Sequence, residues 1–135
     1  MPELTSAMRE LLAEKRFAVI GTVNRDRSPH LTVMWYELRG DELVFNTRAG
    51  RIKDRNLLGD PRVSLVVEDG YRFFRADGTA SRVADQTITQ EDIRRLAIRY
   101  QGEAAGERMA REQFSKQERI TYHIRIEHIY APGLS

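Results

Sequence analysis

The 135 residues contain no cysteine, which removes disulfides, thiolate nucleophiles and cysteine-ligated metal from consideration. Histidine is scarce: His30, His123 and His128 are the only three. His123 and His128 lie five apart on a predicted strand and are expected on opposite faces, so a structural zinc site is not expected. No apolar run approaches the length of a membrane span. Met1 to Lys15 mixes acidic and basic residues along an amphipathic segment, without the charged head and apolar stretch of a signal peptide, so the chain reads as cytoplasmic. There is no GxGxxG and no P-loop. Ser28 and Ser64 lack the setting of a nucleophile elbow. Glu37, Glu42, Glu68 and Asp69 form no evident carboxylate pair, so glycosidase and aspartic-protease chemistry have no support.

What remains is an ordinary globular balance, with 41% hydrophobic and 31% charged residues, in a length that fits one domain. The net charge is only +2, yet the pI is about 9.1 because the excess is arginine. Its distribution matters more than its total. The densest basic stretch is Arg48, Arg51, Lys53 and Arg55, for which an anionic ligand is the natural partner. Nucleic acid is one candidate and a phosphorylated cofactor another. The nucleic-acid reading is weak, because basic and aromatic residues interleave only at Tyr71-Arg72-Phe73-Phe74-Arg75.

Leu4, Met8, Leu11 and Leu12 mark a short amphipathic helix. Phe17 to Val23, His30 to Glu37 and Glu42 to Asn46 read as strands, with a tight turn at Asn24 to Ser28 and a plain hairpin turn at Arg39-Gly40-Asp41. Ala49 to Leu58 is helix-compatible and Gly59-Asp60-Pro61 stops it. Val63 to Glu68 and Tyr71 to Val83 are further strands, the second with Gly78 as a bulge. Thr89 is placed to cap the next helix, whose face carries Ile93, Leu96, Ala97 and Tyr100. Ala105 to Gln117 is polar and helix-compatible. Ile120 to Tyr130 closes the chain, with Ile120, Tyr122, Ile124, Ile126, His128 and Tyr130 expected on one face. Helices do not alternate with strands, so six mostly antiparallel strands in a small closed barrel are expected, flanked by helices.

The informative stretch is Phe45 to Leu65. A strand ends at Asn46-Thr47 and a helix begins near Gly50, with basic residues at the junction. Helix N-termini expose unpaired N–H groups and partial positive charge. With Arg51, Lys53 and the Thr47 hydroxyl they make a phosphate cradle. A solvated basic helix, partly neutralised by Asp54 and Asp60, stands beside that reading.

Thr47-x-x-Gly50-x-x-Lys53-x-Arg55-Asn56-Leu57, followed by Asp60-Pro61-Arg62-Val63-Ser64-Leu65, resembles the signature of the pyridoxamine 5'-phosphate oxidase-like split barrels. The match is closest to the branch that uses the deazaflavin coenzyme F420. It extends upstream to Gly21-Thr22-Val23 and to Pro29 through Tyr36, and downstream to Asp69-Gly70-Tyr71 and Gly78-Thr79-Ala80. It covers Phe17 to Val83 well, and the rest only in layout.

The resemblance implies a mainly β fold with flanking helices, a six-stranded antiparallel split β-barrel of the FMN-binding kind. It also implies a homodimer with cofactor sites at the subunit interface. Positions matching Thr32, Val33, Met34 and Trp35 lie along the cofactor ring, largely through their backbone. Those matching Asn46, Thr47, Arg51, Ile52 and Lys53 hold the phosphate. Arg55 assists, especially with the acidic tail of coenzyme F420, and Phe73 approaches from the partner subunit. The implied activity is hydride transfer between reduced coenzyme F420 and a small conjugated organic substrate. FMN is the alternative cofactor, and a non-catalytic cofactor carrier the alternative role. The pyridoxamine phosphate oxidases carry a C-terminal segment with substrate-gripping basic residues. This sequence ends at Ser135, just past its last strand, so vitamin B6 oxidation is not expected.

Overall fold

The computed structural model describes residues 2–135. Helix α1 (Ser6–Ala13) is capped by Thr5, whose hydroxyl accepts from the Met8 N–H and donates to the Leu134 carbonyl at 2.8 Å. Strands β1 (Ala18–Val23), β2 (Pro29–Met34), β3 (Glu37–Arg39) and β4 (Glu42–Arg48) follow. Then come α2 (Ile52–Gly59), β5 (Arg62–Glu68) and β6 (Phe73–Val83). Helices α3 (Gln86–Gln101) and α4 (Glu103–Glu112) form a hairpin. A 3-10 turn (Phe114–Lys116) leads into β7 (Arg119–Tyr130).

The sheet has seven strands, not six, and it is open rather than closed. Its order is β2-β1-β5-β6-β7-β4-β3, every pairing antiparallel. The two edges, β2 and β3, are joined by only Trp35 and Tyr36. Three Cα steps span at most about 11 Å, so the sheet must curl until its edges nearly meet. The result is a split barrel.

The expected strand from His30 to Glu37 breaks at Trp35-Tyr36 because side chains there part company. Trp35 leaves the sheet to stack on Tyr100 of α3, with ring centroids 5.3 Å apart and planes 7° from parallel. Tyr36 turns into the core, where its hydroxyl donates to the Leu12 carbonyl at 2.9 Å. Its backbone N–H, off the ladder, donates to the Tyr100 hydroxyl at 3.1 Å. Satisfying that buried N–H is what lets the strand break here.

The barrel interior is filled by inward residues of alternating strands. Ile20, Leu43, Phe45, Val63, Leu65, Phe74, Ile120, Tyr122, Ile124 and Ile126 are all buried. Leu4, Leu11 and Leu12 of the N-terminal segment join this core. The bulge falls where Gly78 marked it, between Asp77 and Gly78. A Cβ on Gly78 would lie 2.1 Å from the Arg125 carbonyl oxygen, so only glycine fits. Glu127 is the extra residue opposite, and this corrects the expected pattern of β7. Beyond Ile126 it is Ile129 that pairs with inward Ala76, while His128 and Tyr130 pair with outward Asp77 and Arg75. His123 and His128 therefore share the outer face, not opposite ones.

Helix α3 also starts earlier than expected. Asp85, not Thr89, is its N-cap and accepts from the Thr87 N–H. Thr89 is buried inside the helix, against the outer face of β4. The Arg39-Gly40-Asp41 tripeptide is the β3–β4 turn as expected, with Gly40 and Asp41 held by Arg9.

Candidate anion-binding corner

Helix α2 presents two faces. Lys53, Asp54 and Leu57 point into the barrel mouth and are buried, while Ile52 and Arg55 are exposed on the other side. Asp54 fixes the helix. Its carboxylate accepts from the Gly50 N–H at 3.0 Å, from Arg82 through both oxygens (2.9 and 3.2 Å) and from the Tyr122 hydroxyl. Burial pushes this carboxyl up, but the bonds from Arg82, Gly50 and Tyr122 outweigh it and hold Asp54 below the usual carboxylate range.

Anchored this way, the helix places Lys53 where only 8% of it is exposed. The ammonium donates to the Thr47 hydroxyl over a long 3.4 Å. No carboxylate pairs with it among the described residues. Burial lowers its pKa, and the charges of Arg51 and Arg119 lower it further. Arg119 is also 8% exposed, and burial with Arg51 and Arg48 nearby brings it down to about 10. Arg48, Arg51 and Arg119 likewise have no carboxylate partner among the described residues. Arg51 and Arg119 thus add positive charge around Lys53, while the nearby carboxylate of Asp54 is engaged by Arg82. The first turn of α2 adds positive character there, because its N-cap, Arg51, makes no side-chain cap.

The sequence candidates do not all meet at this corner. Thr47, Arg51 and Lys53 do. Asn46 is on the opposite face of β4 from Thr47. Its amide donates to the Thr89 carbonyl and the Thr121 hydroxyl, each at 3.0 Å, and its oxygen accepts from Arg119 at 2.9 Å. Arg55 is carried away from Lys53 on the far face of α2, with Ile52 beside it. On β2, Thr32 and Met34 turn inward and Val33 outward, and Trp35 belongs to the aromatic cluster of Tyr100 and Phe114. What Thr32, Val33 and Met34 share is an edge strand whose second row of backbone groups has no neighbour. The Thr32 hydroxyl is buried with no hydrogen-bond partner. Phe73 lies at the start of β6, tilted against Tyr130.

Arg119 was not a sequence candidate. It opens β7 directly opposite Arg48, across a pairing that only the fold reveals. Its guanidinium lies over the Phe114 ring, 4.8 Å from the centroid.

Residues 4–131 match the family described as Pyridoxamine 5'-phosphate oxidase, which is nearly the whole chain. The chain belongs to this family. Solved structures share the split barrel of the pyridoxamine 5'-phosphate oxidase family. An F420 reductase is 24% identical with a TM-score of 0.75, covering 96% of this chain and 98% of that one. A conserved hypothetical protein from Mycobacterium tuberculosis is 27% identical with a TM-score of 0.77, covering 96% and 84%. A heme storage protein from Vibrio cholerae is 18% identical with a TM-score of 0.73, covering 99% and 98%. The barrel of the pyridoxamine 5'-phosphate oxidase family thus serves proteins of different named roles, and the fold alone does not choose among them.

Proposed function

We propose that this protein is an oxidoreductase that transfers a hydride between reduced coenzyme F420 and a small conjugated organic substrate. The observation that carries the reading is Lys53, a buried ammonium with Thr47 as its hydrogen-bond partner and the charges of Arg51 and Arg119 acting on it. Burying an uncompensated charge is expensive, and a phosphate removes the cost. The orphaned Thr32 hydroxyl and the free backbone edge of β2 offer polar contacts for a ring.

Bound there, the deazaflavin supplies the hydride chemistry, and the protein's contribution is to bind, orient and exclude water. Lys53, Thr47 and the first turn of α2 hold the phosphate. Arg119 and Arg51 deepen the positive potential around it. The F420 reductase among the structural relatives and the closer motif match favour the deazaflavin over FMN.

The working unit is a homodimer. The outer face of β1 and β2 carries Val19, Leu31 and Val33, with Leu31 at 64% and Val33 at 65% exposure. Apolar side chains this open, side by side on a sheet face, favour burial against a second copy.

The test is the absorbance spectrum after mixing with coenzyme F420, or with FMN, and removing unbound ligand. Retained deazaflavin, followed by oxidation of its reduced form on adding conjugated acceptors, supports the proposal. Retained FMN and no deazaflavin makes the protein a flavoprotein. Retention without turnover by any acceptor makes it a carrier. If neither cofactor is retained, the corner serves another anion.

A further inference from the structure

We propose that Asp92, Thr121 and Asn46 form a buried hydrogen-bonded row that positions the Arg119 guanidinium beside the Lys53 corner. The proposal rests on the reading of that corner as the seat of the cofactor phosphate. It assigns the holding of Arg119 to residues packed between α3 and the outer face of the sheet.

The row begins at Asp92, a carboxylate inside α3 with 4% exposure. One oxygen pairs with Arg39 at 2.9 Å, and the other accepts from the Thr121 hydroxyl at 2.7 Å. With its hydrogen given to Asp92, the Thr121 oxygen can only accept, and the Asn46 amide nitrogen donates to it at 3.0 Å. The same nitrogen donates to the Thr89 carbonyl of α3. Two acceptors on one side fix which way the amide faces. Asn46 therefore turns its oxygen to Arg119, whose Nε donates to it at 2.9 Å. Asn46, Thr121 and Arg119 are all buried.

The rest of Arg119 is fixed as closely. Its Nη1 donates to the Gln117 side-chain oxygen at 2.6 Å. The Gln86 side chain brackets its backbone, accepting from the N–H at 3.0 Å and donating to the carbonyl at 2.8 Å. Every acceptor on Arg119 is neutral. A carboxylate would hold the guanidinium and offset its charge, whereas an amide oxygen holds it and leaves the charge standing. The carboxylate of the row lies two residues back and is already matched by Arg39.

A buried guanidinium with no ion-pair partner is expensive for folding, and a packing role alone does not require one. What the arrangement preserves is a fixed positive charge that acts on Lys53. The other charges on Lys53 are Arg51 and Asp54 at the start of α2, and Asp54 is engaged by Arg82 of β6 and the Tyr122 hydroxyl of β7.

The first experiment needs no ligand. The ε-methylene carbon signal of Lys53 is followed by NMR through an alkaline titration, with exposed Lys15 as the internal reference. A positive neighbour disfavours the ammonium, so Arg119→Gln is expected to move the Lys53 midpoint to higher pH. Asn46→Leu keeps Arg119 but removes its acceptor, and is expected to move the midpoint the same way. Thr121→Val has nearly the same shape without the hydroxyl and is expected to follow, with Thr121→Ser restoring the wild-type midpoint.

The second experiment is calorimetric titration with pyrophosphate at low salt. Arg119→Gln is expected to weaken binding about fivefold, and Asn46→Leu about threefold. The double variant is expected to bind like Arg119→Gln alone, because Asn46 acts only through Arg119. A general loss of packing would instead add to the effect of Arg119→Gln. Thermal unfolding checks each variant, and if Asn46→Leu does not fold, the comparison of Thr121→Val with Thr121→Ser takes its place.

A Lys53 midpoint that stays put in Arg119→Gln or in Asn46→Leu overturns the proposal, as do additive losses in the double variant or a wild type that takes up no pyrophosphate. A midpoint that moves in Asn46→Leu but not in Thr121→Val removes Asp92 and Thr121 from the row. Failure to retain either cofactor, with both patterns intact, overturns the cofactor reading alone.

Discussion

Lys53 is held in a state that disfavours the empty protein. Its pKa is lowered on folding, so the folded chain releases the proton more readily than the unfolded chain and pays for keeping it at neutral pH. Lys53→Met, of similar length and uncharged, is expected to raise the melting temperature of the ligand-free protein. The same change is expected to weaken cofactor binding by about 1.5–3 kcal/mol through loss of a charge-assisted contact. Melting curves and titrations on one preparation check both. A variant that binds normally would remove Lys53 from the site. Binding should also weaken in alkali, as pH rises through the lowered pKa and the ammonium is lost.

Asp54 titrates the other way. Its folded pKa lies below the unfolded value of 3.8, so its contribution to stability is complete above that value. The contribution falls away as pH drops through the lowered folded pKa. Asp54→Asn is expected to cost about 3 kcal/mol, because it leaves the Arg82 charge without its partner. Denaturant unfolding at pH 7 and at pH 3 measures this, and the gap between wild type and variant should shrink in acid.

At the scale of elements, the α3–α4 hairpin depends on one small residue. A Cβ on Gly106 would stand 2.6 Å from Ile98 Cα, so the helices meet backbone to backbone. Gly106→Ala is expected to destabilise by about 1–3 kcal/mol through overpacking, read as a lowered denaturant midpoint. A neutral result would mean that α4 slides away freely.

The same scale shows what the sequence made legible. The strands β1 and β5, the alternation of β7 as far as Ile126, the glycine bulge and the helix after Thr47 were readable because each rests on local chemistry. The break at Trp35-Tyr36 was not, because it is made by Tyr100, far along the chain. The start of α3 was missed because Asp85 and Thr89 are both competent caps, and only packing on β4 decides between them. The same competition separated Asn46 from Thr47. Adjacent strand residues face opposite ways, and a family pattern read along the chain does not say which one faces Lys53. Arg119 entered through strand pairing alone.

For the whole molecule, the proposed dimer rests on the exposed face of β1 and β2. Leu31→Asp with Val33→Asp is expected to shift the protein from dimer to monomer in analytical ultracentrifugation. Both side chains are exposed within a single chain, so little loss of stability in the monomer itself is expected. A wild type that is already monomeric at micromolar concentration would sink the dimer reading.

The hydrogen bond from Thr5 to Leu134 makes the first helix and the last residues neighbours. Topologically the chain is almost a ring, and the sheet does not depend on where that ring is cut. A short bridge across this contact, with new ends opened at the wholly exposed Tyr71 of the β5–β6 turn, leaves every strand its present neighbours. In such a rearranged chain β6 and β7 emerge first from the ribosome and the cationic corner is assembled last.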